Sequence, residues 1–208
     1  MPSSTFFRLP EEKRQRLLDA ARAEFTRVPL HNISINRIVQ AAAIPRGSFY
    51  QYFTGKEDLY RYLMTDMRNQ FSVILMDILG QSGGDMFSVA PEAFDRLMTA
   101  SGEATPHLSQ YIEITRINPG MGPDWLFDKN GELAPEVIFR QLDLSALRRT
   151  DHEFVCSTFC LTIMALGQAI MTTLSFPEQR DLQRRLLQIQ VDIIKQGSIS
   201  PDHQGGTL

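Results

Sequence analysis

Cysteine, tryptophan and net charge are all scarce here: two Cys, one Trp and a formal net charge of −3 in 208 residues. Two thiols in such a composition suggest reduced side chains rather than a disulfide frame. A charge near zero gives no global sign of a nucleic-acid partner. The start, MPSSTFFRLPEEKRQ, lacks the charged-then-apolar order and the cleavage site of a secretion signal. Catalytic signatures are missing too. There is no Gly-x-Ser-x-Gly elbow, phosphate-binding loop, His-Glu-x-x-His pair or dinucleotide fingerprint. SGGDMF looks like part of a nucleotide-cyclase signature but lacks its following Glu and any supporting sheet, and Ser48 has no base near it in the sequence. Neither an enzyme nor a cofactor is expected.

Two further absences concern the helix-forming stretch near residue 155. Val155 to Pro177 contains no charged residue, which is membrane-spanning length. Yet Ser157, Thr158, Thr162, Gln168, Thr172, Thr173 and Ser175 make it too polar for a favoured span. It reads as a helix buried in protein, so no membrane partner is expected and the chain is assigned to the cytoplasm. His152, Cys156 and Cys160 fall four apart and share a helical face. Three ligands over that stretch span about 12 Å of helix, too far for one ion without a partner segment. Buried thiols beside a helix-start histidine are the simpler reading, and no metal is expected.

What is present describes an ordinary folded protein of one or two domains, with 43% apolar and 22% charged residues. The charge is unevenly placed. Residues 1–60 hold nine Lys/Arg against six Asp/Glu, and the remainder holds twelve against eighteen. A basic amino-terminal piece on an acidic body suits a protein whose one end meets a polyanion.

Apolar spacing is helical throughout, with no sustained alternation of period two. PEEKRQRLLDAARAEFTRV opens on Pro10 and two acids and carries Leu17, Leu18, Ala21, Phe25 and Val28 on one face. Ser34 is placed to cap a short helix with Ile38, Val39 and Ala42 inward. After a break at Ala43-Ile44-Pro45, a third short helix turns Phe49 and Phe53 inward, four apart. A longer helix is expected over about 56–79, further helices over 91–104 and 107–118, a short one near 136–149, and two long ones over 151–175 and 178–196. The fold class is therefore all-α. An amino-terminal three-helix domain, residues 1–55, is joined to a helical bundle over 56–197, and 198–208 form a mobile tail.

Three short helices, the last two joined by a tight turn, describe a helix-turn-helix, which presents the start of its last helix to the major groove of DNA. That explains the mixture in RGSFYQYFTGKEDLY, residues 46–60. Phe49 and Phe53 grip the protein, while Arg46, Gly47, Ser48, Tyr50, Gln51 and Tyr52 lie elsewhere around the helix. Their guanidinium, hydroxyl and amide groups reach base edges and phosphates. Lys56, at the next helix start, suits a phosphate together with free backbone N–H groups.

SINRIVQAAAIPRGSFYQYFTGKEDLY, Ser34 to Tyr60, preceded by a helix ending in ARAEF, resembles the tetracycline-repressor (TetR) family of bacterial transcription regulators. The string Tyr-x-Tyr-Phe-x-Gly-Lys-Glu-x-Leu, Tyr50 to Leu59, is its most specific part. The resemblance covers about the first quarter of the chain. It implies phosphate contacts from Ser34, Tyr52 and Lys56. Base-edge or backbone contacts are implied from Asn36, Arg37, Arg46, Gly47, Ser48, Tyr50 and Gln51. Two positions depart from the pattern. Ala43 stands where the family has a turn glycine, and an alanine at positive φ costs about 1 kcal/mol. Pro45 replaces a capping Ser or Thr, which the free N–H groups of a first turn allow.

A lone helix-turn-helix covers little DNA, so a homodimer on a two-fold operator is expected. Leu182, Leu186, Ile189 and Ile193 repeat at 4-3-4 spacing, a seam for another helix. Small residues Ala165, Gly167 and Ala169 on the preceding helix allow close approach, giving the four-helix interface usual in the family. The resemblance also implies a small-molecule effector pocket. Phe71, Phe87, Met98, Tyr111, Trp125, Phe127, Met164 and Gln168 are chosen for it, with Glu113, Arg116 and His107 as polar neighbours and the Trp125 segment as a lid. Nine methionines make an adaptable interior. The expected function is a ligand-responsive repressor. The alternative is an architectural or cell-cycle DNA-binding protein of the same fold with no small-molecule ligand.

Overall fold

The computed structural model describes residues 2–118 and 136–201. Its helices are α1 (Ser4–Phe7), α2 (Glu11–Phe25), α3 (Ile35–Ala41), α4 (Arg46–Tyr52), α5 (Lys56–Gln81), α6 (Met86–Leu97), α7 (Pro106–Ile117), α8 (Glu136–Phe139), α9 (His152–Ser175) and α10 (Arg180–Ser198). Among the described residues the only β-type pairings are isolated bridges, Met98–Ala104 and Leu147–Ile199. The all-α class holds. The helices form two compact units. One contains the described residues up to Gln70 together with α7 and Asn118; the other contains Phe71–Thr105 and the described residues from Glu136 on.

In the first unit, Glu11 and Glu12 occupy the first turn of α2, where carboxylates complement the helix dipole. Leu17, Leu18, Ala21 and Phe25 line its buried face, and each large apolar side chain so buried contributes about 1.5–3 kcal/mol. Ser34 caps α3, its hydroxyl accepting from the Arg37 N–H at 3.4 Å. The end of α3 is a Schellman closure: Ala43 N–H donates to Gln40 C=O at 3.2 Å and Ile44 N–H to Val39 C=O at 3.0 Å. That closure needs a left-handed residue, and Ala43 supplies it with φ 52°. Pro45 then precedes α4 with φ −62°, already suited to a helix entry.

Phe49 of α4 and Phe53, which ends it, are buried as expected. They have a partner that apolar spacing did not reveal. The single turn α1 sets Phe6, fully buried, with its ring 4.9 Å from Phe53 and 5.1 Å from Tyr62. Ser3 donates from its N–H to Tyr52 C=O at 2.9 Å and from its hydroxyl to Gln51 C=O. These are carbonyls that the end of α4 leaves without helical partners. The far-off α7 also completes this core. Ile114 is fully buried in it, and Asn118 accepts from the Leu30 N–H at 2.8 Å while donating to Ile114 C=O at 2.8 Å. The sequence divides the chain after residue 55; the compact unit runs on to Gln70 and takes in α7.

In the second unit α9 packs on α6 and α10, and α6 on α10. α6 starts at Met86, capped by Asp85, which accepts from Phe87 N–H at 2.9 Å; Pro91 lies inside the helix. The sequence spacing places this start at about residue 91, five residues late. The stretch expected as helix over 136–149 is helical only through Phe139. Gly84, at φ 90°, lets the chain after α5 pass so close to residues 141–143 that a Cβ there would lie 2.4 Å from Gln141 O. Residues 198–200 are not loose: Arg148 N–H donates to Ser198 C=O and Ser200 N–H to Ala146 C=O, both at 2.9 Å. The remaining tail, 202–208, lies outside the described residues. α9 is long and apolar enough to cross a membrane by composition, but half of that stretch is buried among its neighbours, as expected for a core helix.

Candidate nucleic-acid interface

On α4 the buried face and the open face are sharply divided. Phe49, Tyr52 and Phe53 point inward, while Arg46, Gly47, Tyr50 and Gln51 are exposed and Ser48 is half-buried. A Cβ added at Gly47 would meet nothing within 4 Å, so the fold does not require glycine there. Ser34 and Asn36 of α3, Arg46 and Tyr50 of α4, and Thr54 to Glu57 line an open groove of about 470 Å³. Five of the ten residues proposed from the sequence meet there: Ser34, Asn36, Arg46, Tyr50 and Lys56. Lys56 Nζ donates to His31 C=O at 2.7 Å. Arg46 donates to Asn36 Oδ1 and to the Tyr50 hydroxyl, the latter at 3.3 Å.

Tyr52 needs correction. It is 5% exposed and belongs to the hydrophobic core, its ring 6.3 Å from Phe6. At one turn from Phe49 it flanks the inward stripe, and α1 extends the buried surface over it. Arg37 stays exposed but points back, its Nε 3.4 Å from Glu24. Glu24 itself went unnoticed in the sequence, although a carboxylate between Ala21 and Phe25 on an apolar stripe was a signal. Its carboxyl lies below the ordinary range. Burial pushes it upward, but hydrogen bonds from Arg27 and the Ser34 N–H, with the charges of Arg27 and Arg37, more than offset that. Glu24 thus ties the end of α2 to the start of α3.

The effector and dimer assignments come out differently. Ala165 and Ala169, expected at a dimer seam, are buried inside the second unit at 9% and 3% exposure. Met164 and Gln168, expected in a pocket, are on the outer face of α9. The cause is helix phase: a one-residue step rotates a side chain about 100°, and an uncharged helix offers no polar stripe to set it. On α10, Leu182, Leu186, Ile189 and Ile193 are all exposed, Ile193 at 64%, while Leu187 and Val191 face inward. Phe87 and Met98 are packed in the core, Phe71 is half-buried, and Tyr111 belongs to α7 in the first unit. Glu113 and Arg116 bond each other at 2.7 Å. Trp125 and Phe127 lie outside the described residues, as does the side chain of His107. His152 reaches Cys156 at 3.6 Å, burial pushes the Cys160 thiol up, and no cluster of three metal-binding side chains occurs among the described residues.

A three-helix head whose α3 and α4 meet at a tight turn, with α4 polar outside and aromatic inside, defines the helix-turn-helix class. The chain matches, over residues 17–63, the profile described as bacterial regulatory proteins, tetR family. It is 28% identical over 113 residues to an uncharacterized HTH-type transcriptional regulator, YdgC, of Bacillus subtilis (strain 168); the match spans 54% of this chain and only 56% of that protein. A TetR family transcriptional regulator from Chloroflexus aurantiacus J-10-FL is 25% identical, with 96% of this chain and 99% of that one covered and a TM-score of 0.50. SmeT, the repressor of the Stenotrophomonas maltophilia multidrug efflux pump SmeDEF, is 19% identical over 92% and 94% of the two chains with a TM-score of 0.61, and shares the fold.

Proposed function

We propose that this chain is a cytoplasmic DNA-binding repressor. It holds a palindromic operator as a homodimer and releases it when a small, largely apolar molecule binds. The two-faced α4 carries this reading. Its inner rings fix it to the head, leaving Arg46, Ser48 and Gln51 to meet base edges and Gly47 to bring the backbone close. Lys56 and the first N–H groups of α5 meet phosphate, giving affinity without sequence preference. No reaction is assigned to the chain.

The dimer rests on the exposed row Leu182, Leu186, Ile189 and Ile193 of α10, with Leu161, Met164 and Met171 exposed on α9, the helix α10 packs against. Apolar surface of that extent at one face marks an association site. An effector acts only by binding the DNA-incompetent arrangement more tightly than the competent one. A second reading, an architectural DNA-binding protein without an effector, is favoured by one observation: Phe87 and Met98 fill the core of the second unit.

Selection from a pool of random duplexes tests the function. An inverted repeat is the expected product, bound by a dimer, and compounds are then screened for its release. Enrichment of no duplex, or a monomer at micromolar concentration, contradicts the repressor. A dimer that binds its operator but is released by no compound favours the architectural reading.

A further inference from the structure

Arg46 is held before any DNA arrives. Its Nη1 donates to Oδ1 of Asn36, across the turn on α3. Its Nη2 donates to the Tyr50 hydroxyl at 3.3 Å, and the guanidinium carbon stands 5.8 Å from the centre of the Tyr50 ring. The three side chains are exposed and line one groove. The Schellman closure at Ala43 fixes the helix carrying Asn36 against the helix carrying Arg46 and Tyr50.

We propose that Asn36 and Tyr50 are positioning residues that aim Arg46 at one guanine in each half-site, instead of reading bases themselves. The proposal rests on the DNA-binding reading above. A guanidinium carries five N–H groups in one plane; two are engaged by Asn36 and Tyr50, so three remain. A parallel pair among those three matches O6 and N7 of guanine. Asn36 spends one of the two lone pairs of its side-chain oxygen on Arg46, which ties its amide plane to the guanidinium instead of leaving it to swing onto an adenine edge. Tyr50 accepts from Arg46 and keeps its own O–H for a phosphate. Ordering a long arginine in advance also removes part of the entropy cost of binding. Three side chains that the family pattern treats alike therefore divide into one reader and two supports.

The test is duplex selection and titration with the full chain as wild type, Arg46→Ala, Asn36→Ala, Asn36→Asp and the Arg46→Ala/Asn36→Ala double variant. All four changes are at exposed positions, and unchanged thermal melting confirms that each variant folds. Wild type selects a guanine at one symmetric position, and Arg46→Ala lowers that preference about tenfold or more. Asn36→Ala lowers it at the same position by about fivefold. The double variant is no worse there than Arg46→Ala, because the two side chains act as one unit. Asn36→Asp keeps an acceptor for Arg46 and restores the guanine preference despite weaker overall binding. A loss at a different base position for Asn36→Ala, or an intact guanine preference, overturns the proposal while leaving DNA binding in place. Failure of the wild type itself to select any duplex overturns both.

Discussion

At the scale of single residues, Ala43 offers the cleanest test of the backbone. Its φ of 52° is required by the two hydrogen bonds that end α3, and a Cβ is strained there. Ala43→Gly should raise stability by about 1 kcal/mol, an increase of roughly 2–4 °C in Tm for a chain of this size. A thermal melt measures it, and a lower Tm would show that α3 is not strained at its end. Glu24 sets a pH dependence. A carboxyl whose folded pKa is lowered contributes stability that is complete above its unfolded pKa and is lost as pH falls through the folded value. Between about pH 6 and about pH 3, urea melts of Glu24→Gln should therefore lose less stability than wild type. The alanine strain was legible through the family resemblance, which implies a turn glycine at that position. The inward turn of Tyr52 was not, because it depends on a neighbouring turn whose four residues carry no periodicity.

Among the elements, α5 is proposed to act at its first residue, Lys56. Lys56→Ala should weaken binding to every duplex alike and reduce the slope of log affinity against log salt by about 1. Equal weakening with no change in slope would take Lys56 away from the phosphates. α1 contributes support: Phe6 is fully buried among Phe53 and Tyr62, so Phe6→Ala should cost about 3–5 kcal/mol, read by chemical denaturation. Long amphipathic helices were legible because burial repeats along them; α2, α5, α9 and α10 lie close to their expected spans. The start of α6 was not. Its cap is an aspartate after two glycines, and the buried Pro91 imitates a beginning. α8 fell short because residues after Phe139 turn instead to meet Gly84 and the end of α10.

For the whole molecule, the pattern Leu182, Leu186, Ile189 and Ile193 was legible as one helix face, and it is exposed among the described residues. The matching face of α9 was misread by one helical step. If that surface joins two copies, Ile189→Asp with Ile193→Asp should leave each chain folded but shift it toward monomer, with operator affinity falling in parallel. Sedimentation and gel shift read the two effects, and a persistent dimer would move the interface elsewhere. The partition of the head could not be read from the chain order at all, since Ile114 and Asn118 come from beyond the second unit's first helices. This has a practical side for domain-swap experiments. A chimera spliced after residue 55 would carry a head with a void where Ile114 belongs and a Leu30 amide facing no acceptor. Grafts of this head onto foreign bodies should travel with residues 56–70 and 106–118, or expect the transplanted reader to melt before it meets its target.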